Sequence, residues 1–200
     1  MENMQKNIKV IWWIKSLLAS YIVTGILLLV LTFFMYKFEL NEKDNSGRFN
    51  IYDCNGVKAI LDYGHNIDGY RKVLSSLKEL AKGNIIGVIG IPGDRSNNDA
   101  VRIGKLSGKN LNKIIIKEDK DRRGRRCGEI AELIKNGVLQ VNKDSDLKVI
   151  LDEVEAFRTA LMEAKRGDTV IVFFEKRKPL LEVIEYFRKE QEENGYKKIN

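Results

Sequence analysis

The chain has 200 residues, 44% apolar and 32% charged, with two prolines and two cysteines. That length holds one ordinary domain with a small addition, and the composition excludes disordered, collagen-like and low-complexity chains. Lys plus Arg is 35 against 28 for Asp plus Glu, a +7 excess too modest to define a nucleic-acid binder, and two cysteines cannot build a disulfide framework.

Residues 1–15 form an N-terminal flank. From Ser16 to Tyr36 run 21 residues without a charge, bracketed by Lys15 and Lys37. As a helix this run is about 31 Å long, enough for a hydrocarbon core of ~30 Å. Trp12, Trp13 and Tyr36 stand where interfacial aromatics belong. The run exceeds the ~7–15 apolar residues of a signal peptide, and no Ala-x-Ala-like cleavage site follows it. A single transmembrane helix over residues 16–36 is therefore expected. Lys6, Lys9 and Lys15 precede it, and Lys37, Lys43 and Arg48 follow, so charge leaves its orientation open. Residues 37–47 read as a polar linker.

Beyond the linker, strands and helices alternate. Phe49–Cys54 and Val57–Asp62, joined by Asn55-Gly56, predict a β-hairpin. Helical spacing follows over Asn66–Lys82, then a continuous apolar strand over Asn84–Gly90. A helix over Ala100–Leu111 and a strand at Lys113–Lys117 come next. A helix is expected over Cys127–Val141, a strand over Leu147–Leu151, and a helix over Asp152–Ala164 with Asp152 as N-cap. Thr169–Phe174 is a last buried strand. A closing helix over Pro179–Gln191 carries its proline in the first turn. Apolar strands separated by helices indicate an α/β layered domain, residues 48–190, whose mostly parallel sheet is covered on both faces. Residues 191–200 are a polar tail.

Ligands of such sheets bind at the carboxyl ends of the strands. Asp62-Tyr63-Gly64-His65-Asn66 lies at one such end. His65 is the only histidine, and Asn66 serves equally as a helix cap. Gly90-Ile91-Pro92-Gly93-Asp94-Arg95 reads as a plain turn or as a phosphate-facing loop. It is not a Walker A loop, because no Gly-Lys-Ser/Thr follows. Lys120-Asp121-Arg122-Arg123-Gly124-Arg125-Arg126 is either a solvated basic loop or an anion clamp. No aromatics are interleaved with it, so nucleic acid is not an expected partner. Cys54 and Cys127 read as isolated small apolar residues.

In this order the strand-end motifs resemble the C-terminal domain of the Mur ligase family, most closely that of the cyanophycin synthetases. The resemblance covers Gly47-Arg48-Phe49-Asn50 through about Phe187. Asp62-Tyr63-Gly64-His65-Asn66 resembles the family's Asp-Tyr-Ala-His-Asn block, with Gly64 in place of alanine. Gly90–Arg95 resembles its Gly-x-Pro-Gly-Asp-Arg turn. Ile114-Ile115-Ile116-Lys117-Glu118-Asp119 with Arg123-Gly124-Arg125 and Gly128-Glu129, then Asp152-Glu153 with Ala156, complete the series.

The resemblance implies a Rossmann-like three-layer domain that closes over an ATP-binding central domain. It also implies ligation of a carboxylate, phosphorylated by ATP, to an amino acid, in the cyanophycin case arginine to aspartate. On that picture Asp62, His65, Asn66, Asp94 and Arg95 face nucleotide and phosphate. Glu118, Asp119, Asp121, Arg123 and Arg125 face the amino acid. ATP and Mg²⁺ are implied by the family, bound mainly by a central domain that has no counterpart in this sequence. Turnover by the chain alone is therefore not expected, and a separate ATPase or ATP-grasp ligase chain is the implied partner. The first 45 residues resemble instead the opening helix of a small clostridial-type multi-span membrane family. ATP chemistry implies a cytoplasmic soluble domain on a single-pass anchor. The alternative is a membrane-anchored non-catalytic module that binds a nucleotide or an anionic metabolite, or that serves only as a scaffold.

Overall fold

The computed structural model describes residues 47–197 together with Gly25, with side-chain surroundings through Lys189. The predicted membrane helix at 16–36 lies outside the described residues, apart from Gly25. Among the described residues no helix is long and apolar enough to cross a membrane.

Six strands form one sheet. In chain order the elements are β1 (Asn50–Cys54), β2 (Val57–Asp62), α1 (Ile67–Leu80), β3 (Ile85–Ile89), α2 (Asn97–Gly108), β4 (Lys113–Ile116), α3 (Glu129–Leu139), β5 (Asp146–Val149), α4 (Glu153–Glu163), β6 (Thr169–Phe173) and α5 (Arg177–Lys197). The spatial order is β1-β2-β6-β3-β4-β5. Only β1 runs antiparallel, through the predicted hairpin. Asn55 and Gly56 both take positive φ, +59° and +87°, which a two-residue turn of matching twist demands.

The helices cover both faces. Tyr70, Leu74 and Leu77 of α1 pack with Ile103 of α2 and Ile134 of α3 against one side of the sheet. Phe157 and Leu161 of α4 pack with Leu180 and Ile184 of α5 against the other. All five residues of β3 and of β6 are buried, as expected of central parallel strands. Helices α2 and α3 cross closely because both contribute glycine. A Cβ on Gly104 would lie 2.1 Å from the Ile134 carbonyl oxygen, and one on Gly137 equally close to that of Val101.

Several boundaries differ from those expected. Helix α2 begins at Asn97, because the Ser96 side chain accepts from the Asp99 N–H; the first turn is polar and hides from apolar periodicity. Helix α3 begins at Glu129, after Gly128 at φ +82°. Strand β5 is an edge with a mostly exposed face rather than a buried strand. Helix α5 begins before Pro179 and continues to Lys197, into the residues read as a polar tail, where Glu, Gln and Lys are good helix formers.

Candidate functional site

The strand register places the site. Asp62 of β2 pairs with Phe173 of β6, Val88 of β3 with Val172, and Ile89 with Ile116 of β4. Four loops therefore leave one rim at the same level. From β2 and β3 the chain continues into α1 and α2 on one face, and from β6 into α5 on the other. The parting of the chain around β6 opens a crevice at the carboxyl ends, where open α/β sheets bind ligands.

The loop after β2 is held by Asp62, which is buried. Its Oδ2 accepts from the Phe49 N–H at 2.8 Å and its Oδ1 from the Gly64 N–H at 2.6 Å. Burial pushes this carboxyl above its ordinary range, opposed by those two N–H groups and by Arg48. Asn66 caps α1, its Oδ1 accepting from the Gly69 N–H at 2.8 Å. Nδ1 of His65 lies 3.1 Å from the Tyr63 carbonyl. A carbonyl can only accept, so Nδ1 carries a proton and donates to it. His65 borders three clefts of about 240, 250 and 380 Å³.

The turn after β3 is anchored at both ends. The Tyr70 hydroxyl donates to the Gly90 carbonyl at 2.8 Å and accepts from the Gly90 N–H at 3.1 Å. At Gly93 the chain must be glycine: a Cβ there would sit 2.1 Å from the Arg122 carbonyl oxygen. Arg125 supplies the second anchor. Its Nε donates to the Gly93 carbonyl at 2.6 Å, Nη2 to that of Arg95 at 2.7 Å, and Nη1 to Asn97 Oδ1 and Glu129 Oε1, each at 2.7 Å. Four donors of this guanidinium therefore serve the protein itself. Asp94 is exposed and pairs with Arg123 Nη1 at 3.3 Å. Arg95 Nε is buried and without a hydrogen-bond partner among the described residues.

The loop after β4 begins at Lys117, whose side chain is 1% exposed. Its Nζ lies 2.6 Å from Asp119 Oδ1 and 2.7 Å from Glu153 Oε2. Burial alone would push this ammonium down, but Glu153 and Asp119 together outweigh it and hold it above its ordinary value. Glu153 also accepts the N–H groups of Glu175 at 2.6 Å and Lys176 at 3.1 Å. Glu118 Oε2 accepts from the Gly128 N–H at 2.9 Å, while its Oε1 is buried without a partner. Asp121 pairs with Arg123 Nε at 2.7 Å. The basic run is thus largely neutralised, leaving Arg122 and Arg126 the most outward of its arginines; Arg126 lies 3.8 Å from Glu129.

Of the predicted residues, Asp119, Asp121 and Arg123 line one cleft and Asn66 and Arg95 another, with His65 bordering both; Asp62 lines the third cleft, and Asp94, Glu118 and Arg125 line none of them. The first cleft lies between the loops after β2, β3, β4 and β6, with Tyr63 and Phe174 as aromatic walls, Asp119, Asp121 and Glu175 as its carboxylates, and Lys117, Arg123 and Lys176 as its cations. The aromatic rings and the carboxylate oxygens not spent on those cations are the groups there that suit a cationic ligand. The other lies between the first turns of α1 and α2, with Arg95 and Arg102 beside Asn66 and Asp99. The guanidinium groups of Arg95 and Arg102 on that wall suit an oxyanion. Asp62, Asn66 and Arg125 shape these loops through internal hydrogen bonds.

Tyr70 escapes a sequence search for ligand groups, and the pairing of Lys117 with Glu153, though both stand in the motifs, is not readable from spacing. The available signal was a lysine closing an otherwise apolar strand, and a tyrosine on a buried helix face. Among the described residues no group of three His, Cys, Asp or Glu side chains could hold a metal ion.

A mostly parallel sheet edged by an N-terminal hairpin and covered by helices on both faces defines a layered α/β domain. Residues 47–173 match the Mur ligase, glutamate ligase domain, and the chain belongs to that family. It is 38% identical over 136 residues to the cyanophycin synthetase of Crocosphaera subtropica, covering 68% of this chain and 16% of that protein. A solved UDP-N-acetylmuramoyl-L-alanyl-D-glutamate–2,6-diaminopimelate ligase superposes with TM-score 0.59 at 19% identity, covering 73% of this chain and 32% of that one. E. coli FolC, solved with ADP, superposes with TM-score 0.51 at 22% identity, covering 73% and 32%. These structures share the fold, and the chain spans only a minor part of each relative's length.

Proposed function

We propose that residues 48–190 act as the closing domain of an ATP-dependent acid–amino-acid ligase of the cyanophycin synthetase type. Its rim would meet nucleotide and incoming amino acid held mainly by another domain or chain. The observation that carries this reading is the pairing of an acid-and-aromatic cleft with an arginine-lined cleft across His65. Arg95 would meet phosphate oxygens. Asp119 and Asp121 would meet the cationic end of the amino acid, with Arg123 holding Asp121 in place. Such enzymes convert a carboxylate to an acyl phosphate, which the amino acid's amine displaces. A closing domain contributes orientation and the exclusion of water.

The 200 residues contain no Gly-Lys-Ser/Thr phosphate loop, so the chain alone is expected not to turn over. The test is a calorimetric titration of the full chain with ATP–Mg²⁺ and with L-arginine, alongside a coupled ATP-hydrolysis assay. Binding without hydrolysis is expected. Steady ATP consumption by the chain alone would overturn the dependence on a partner, and failure of both ligands to bind would leave a scaffold. Attachment to a membrane through residues 16–36 is part of the proposal and rests on the 21-residue uncharged run. Labelling of Cys127, which is exposed, from the outer side of intact cells would contradict a cytoplasmic domain.

A further inference from the structure

Lys117 is the least expected residue in this fold. It stands where β4 reaches the rim, its side chain 1% exposed, among strands otherwise filled by Ile114, Ile115 and Ile116. Taking an ammonium out of water is costly, and a well-packed apolar residue in its place is often neutral or stabilising. Stability is therefore a poor reason for a lysine here. The better reason lies in what Nζ touches.

One Nζ ties together three segments of the rim. It meets Asp119 Oδ1 at 2.6 Å on the β4 loop and Glu153 Oε2 at 2.7 Å at the start of α4. Glu153 in turn accepts the N–H groups of Glu175 and Lys176 on the β6 loop. Glu175 completes the circuit, its Oε2 accepting from the Lys120 N–H at 2.9 Å. The ammonium thus sits beneath the acid-and-aromatic cleft and fixes the positions of Asp119 and Glu175 on its wall. Asp119 spends Oδ1 on Lys117, and its Oδ2 has no hydrogen bond or ion pair among the described residues. A carboxylate held by one oxygen, with the other free toward a cleft, is preset for a second cation.

We propose that Lys117 is a positioning residue. It locks the Asp119 carboxylate so that Oδ2 receives the guanidinium or ammonium of an incoming amino acid, and it sets the Glu175 loop opposite. This rests on the reading of that cleft as the amino-acid side. Lys117 acts on the ligand through these carboxylates, which take two of its three N–H hydrogens.

The test uses the full chain and L-arginine as probe, read by calorimetry, with ATP–Mg²⁺ as a second ligand and thermal unfolding as the measure of folding. Lys117→Met leaves Glu153 buried without its cation and is expected to unfold earlier. The double variant Lys117→Met/Glu153→Gln removes that stranded charge and is expected to recover most of the melting temperature. In this refolded background arginine affinity should stay at least ten-fold weaker than wild type, while ATP–Mg²⁺ affinity changes less than two-fold. Arginine affinity returning to the wild-type value in the double variant would overturn the positioning role and leave the amino-acid cleft standing. Failure of the wild-type chain to bind arginine, with ATP–Mg²⁺ still bound, would overturn both together.

Discussion

Removing the Tyr70 hydroxyl probes how the turn after β3 is built. Tyr70 is fully buried and stacks on Phe173 with ring centroids 3.6 Å apart and planes 14° from parallel. Its hydroxyl satisfies both backbone groups of Gly90, the residue that opens the turn leading to Arg95. Tyr70→Phe keeps the ring, the stack and the volume, and strands one N–H and one C=O in the interior. Each buried polar group left unpaired costs about 1–3 kcal/mol, so the variant should lose about 2–6 kcal/mol in all. With a urea slope of about 2 kcal/mol/M, the midpoint should fall by about 1–3 M. Equilibrium unfolding of the full chain, followed by far-UV circular dichroism, measures this. A control, Tyr70→Leu, also loses the stack and should fall further. A Tyr70→Phe loss below about 0.5 kcal/mol would refute the reasoning, because the Gly90 groups would then have found other partners.

Four further outcomes are expected. Gly93→Ala drives a Cβ into the Arg122 backbone at 2.1 Å; it should cost about 1–3 kcal/mol, read as a lowered melting temperature, and should weaken ATP–Mg²⁺ binding. Arg95→Gln should weaken ATP–Mg²⁺ at least ten-fold and leave arginine unchanged, while Asp119→Asn should do the reverse; calorimetry of both variants with both ligands checks this crossed pattern. Arg125→Lys cannot span Gly93, Arg95, Asn97 and Glu129 with one ammonium, so the loss should approach that of Arg125→Ala in urea unfolding. For Asp62 the folded carboxyl holds its proton to higher pH than the unfolded one, whose value is 3.8. The wild type should therefore lose stability relative to Asp62→Asn as pH rises from that value through the raised folded one, with the deficit complete above it; urea midpoints across the acidic range give the sign.

The layered architecture was legible because its causes are local. Apolar runs such as Ile85–Ile89 and Thr169–Phe173 are too continuous for a half-exposed strand, and Asn55-Gly56 dictates its own turn. Helix starts were less legible, since Ser96 and Gly128 set them through backbone geometry that apolar periodicity ignores. Within the site, the rim segments could be read from strand ends. Whether a polar side chain faced a ligand or its own chain could not. Arg125 and Arg123 are near neighbours in one basic run, yet Arg125 is spent on the carbonyls of a turn about 30 positions earlier, while Arg123 bridges two exposed carboxylates. That difference arises from the approach of the Arg122 backbone to Gly93, a contact no spacing encodes.

The basic run therefore has a different meaning from the one its composition suggests. A +7 chain with five cations in seven positions looks like an open anion clamp. In the fold, Arg123 and Arg125 are committed to Asp94, Asp121, Glu129 and two backbone carbonyls. Besides the buried Oε1 of Glu118, what the rim leaves open among the described residues is small and specific: the Nε of Arg95, the second oxygen of Asp119, and the Nε2 of His65 between the two clefts. Buried polar atoms ordinarily have partners, so an unpaired guanidinium N–H held by a rigid turn marks a contact awaiting completion. A ligand that supplies one oxyanion and one cation would complete the two outer positions at once, and the complementary charges of its two ends would fix its direction across His65. An amino acid approaching an acyl phosphate has that polarity, with a cationic side chain toward Asp119 and phosphate oxygens toward Arg95. Net charge contributes little to such recognition, which depends on how few polar atoms the protein leaves unsatisfied.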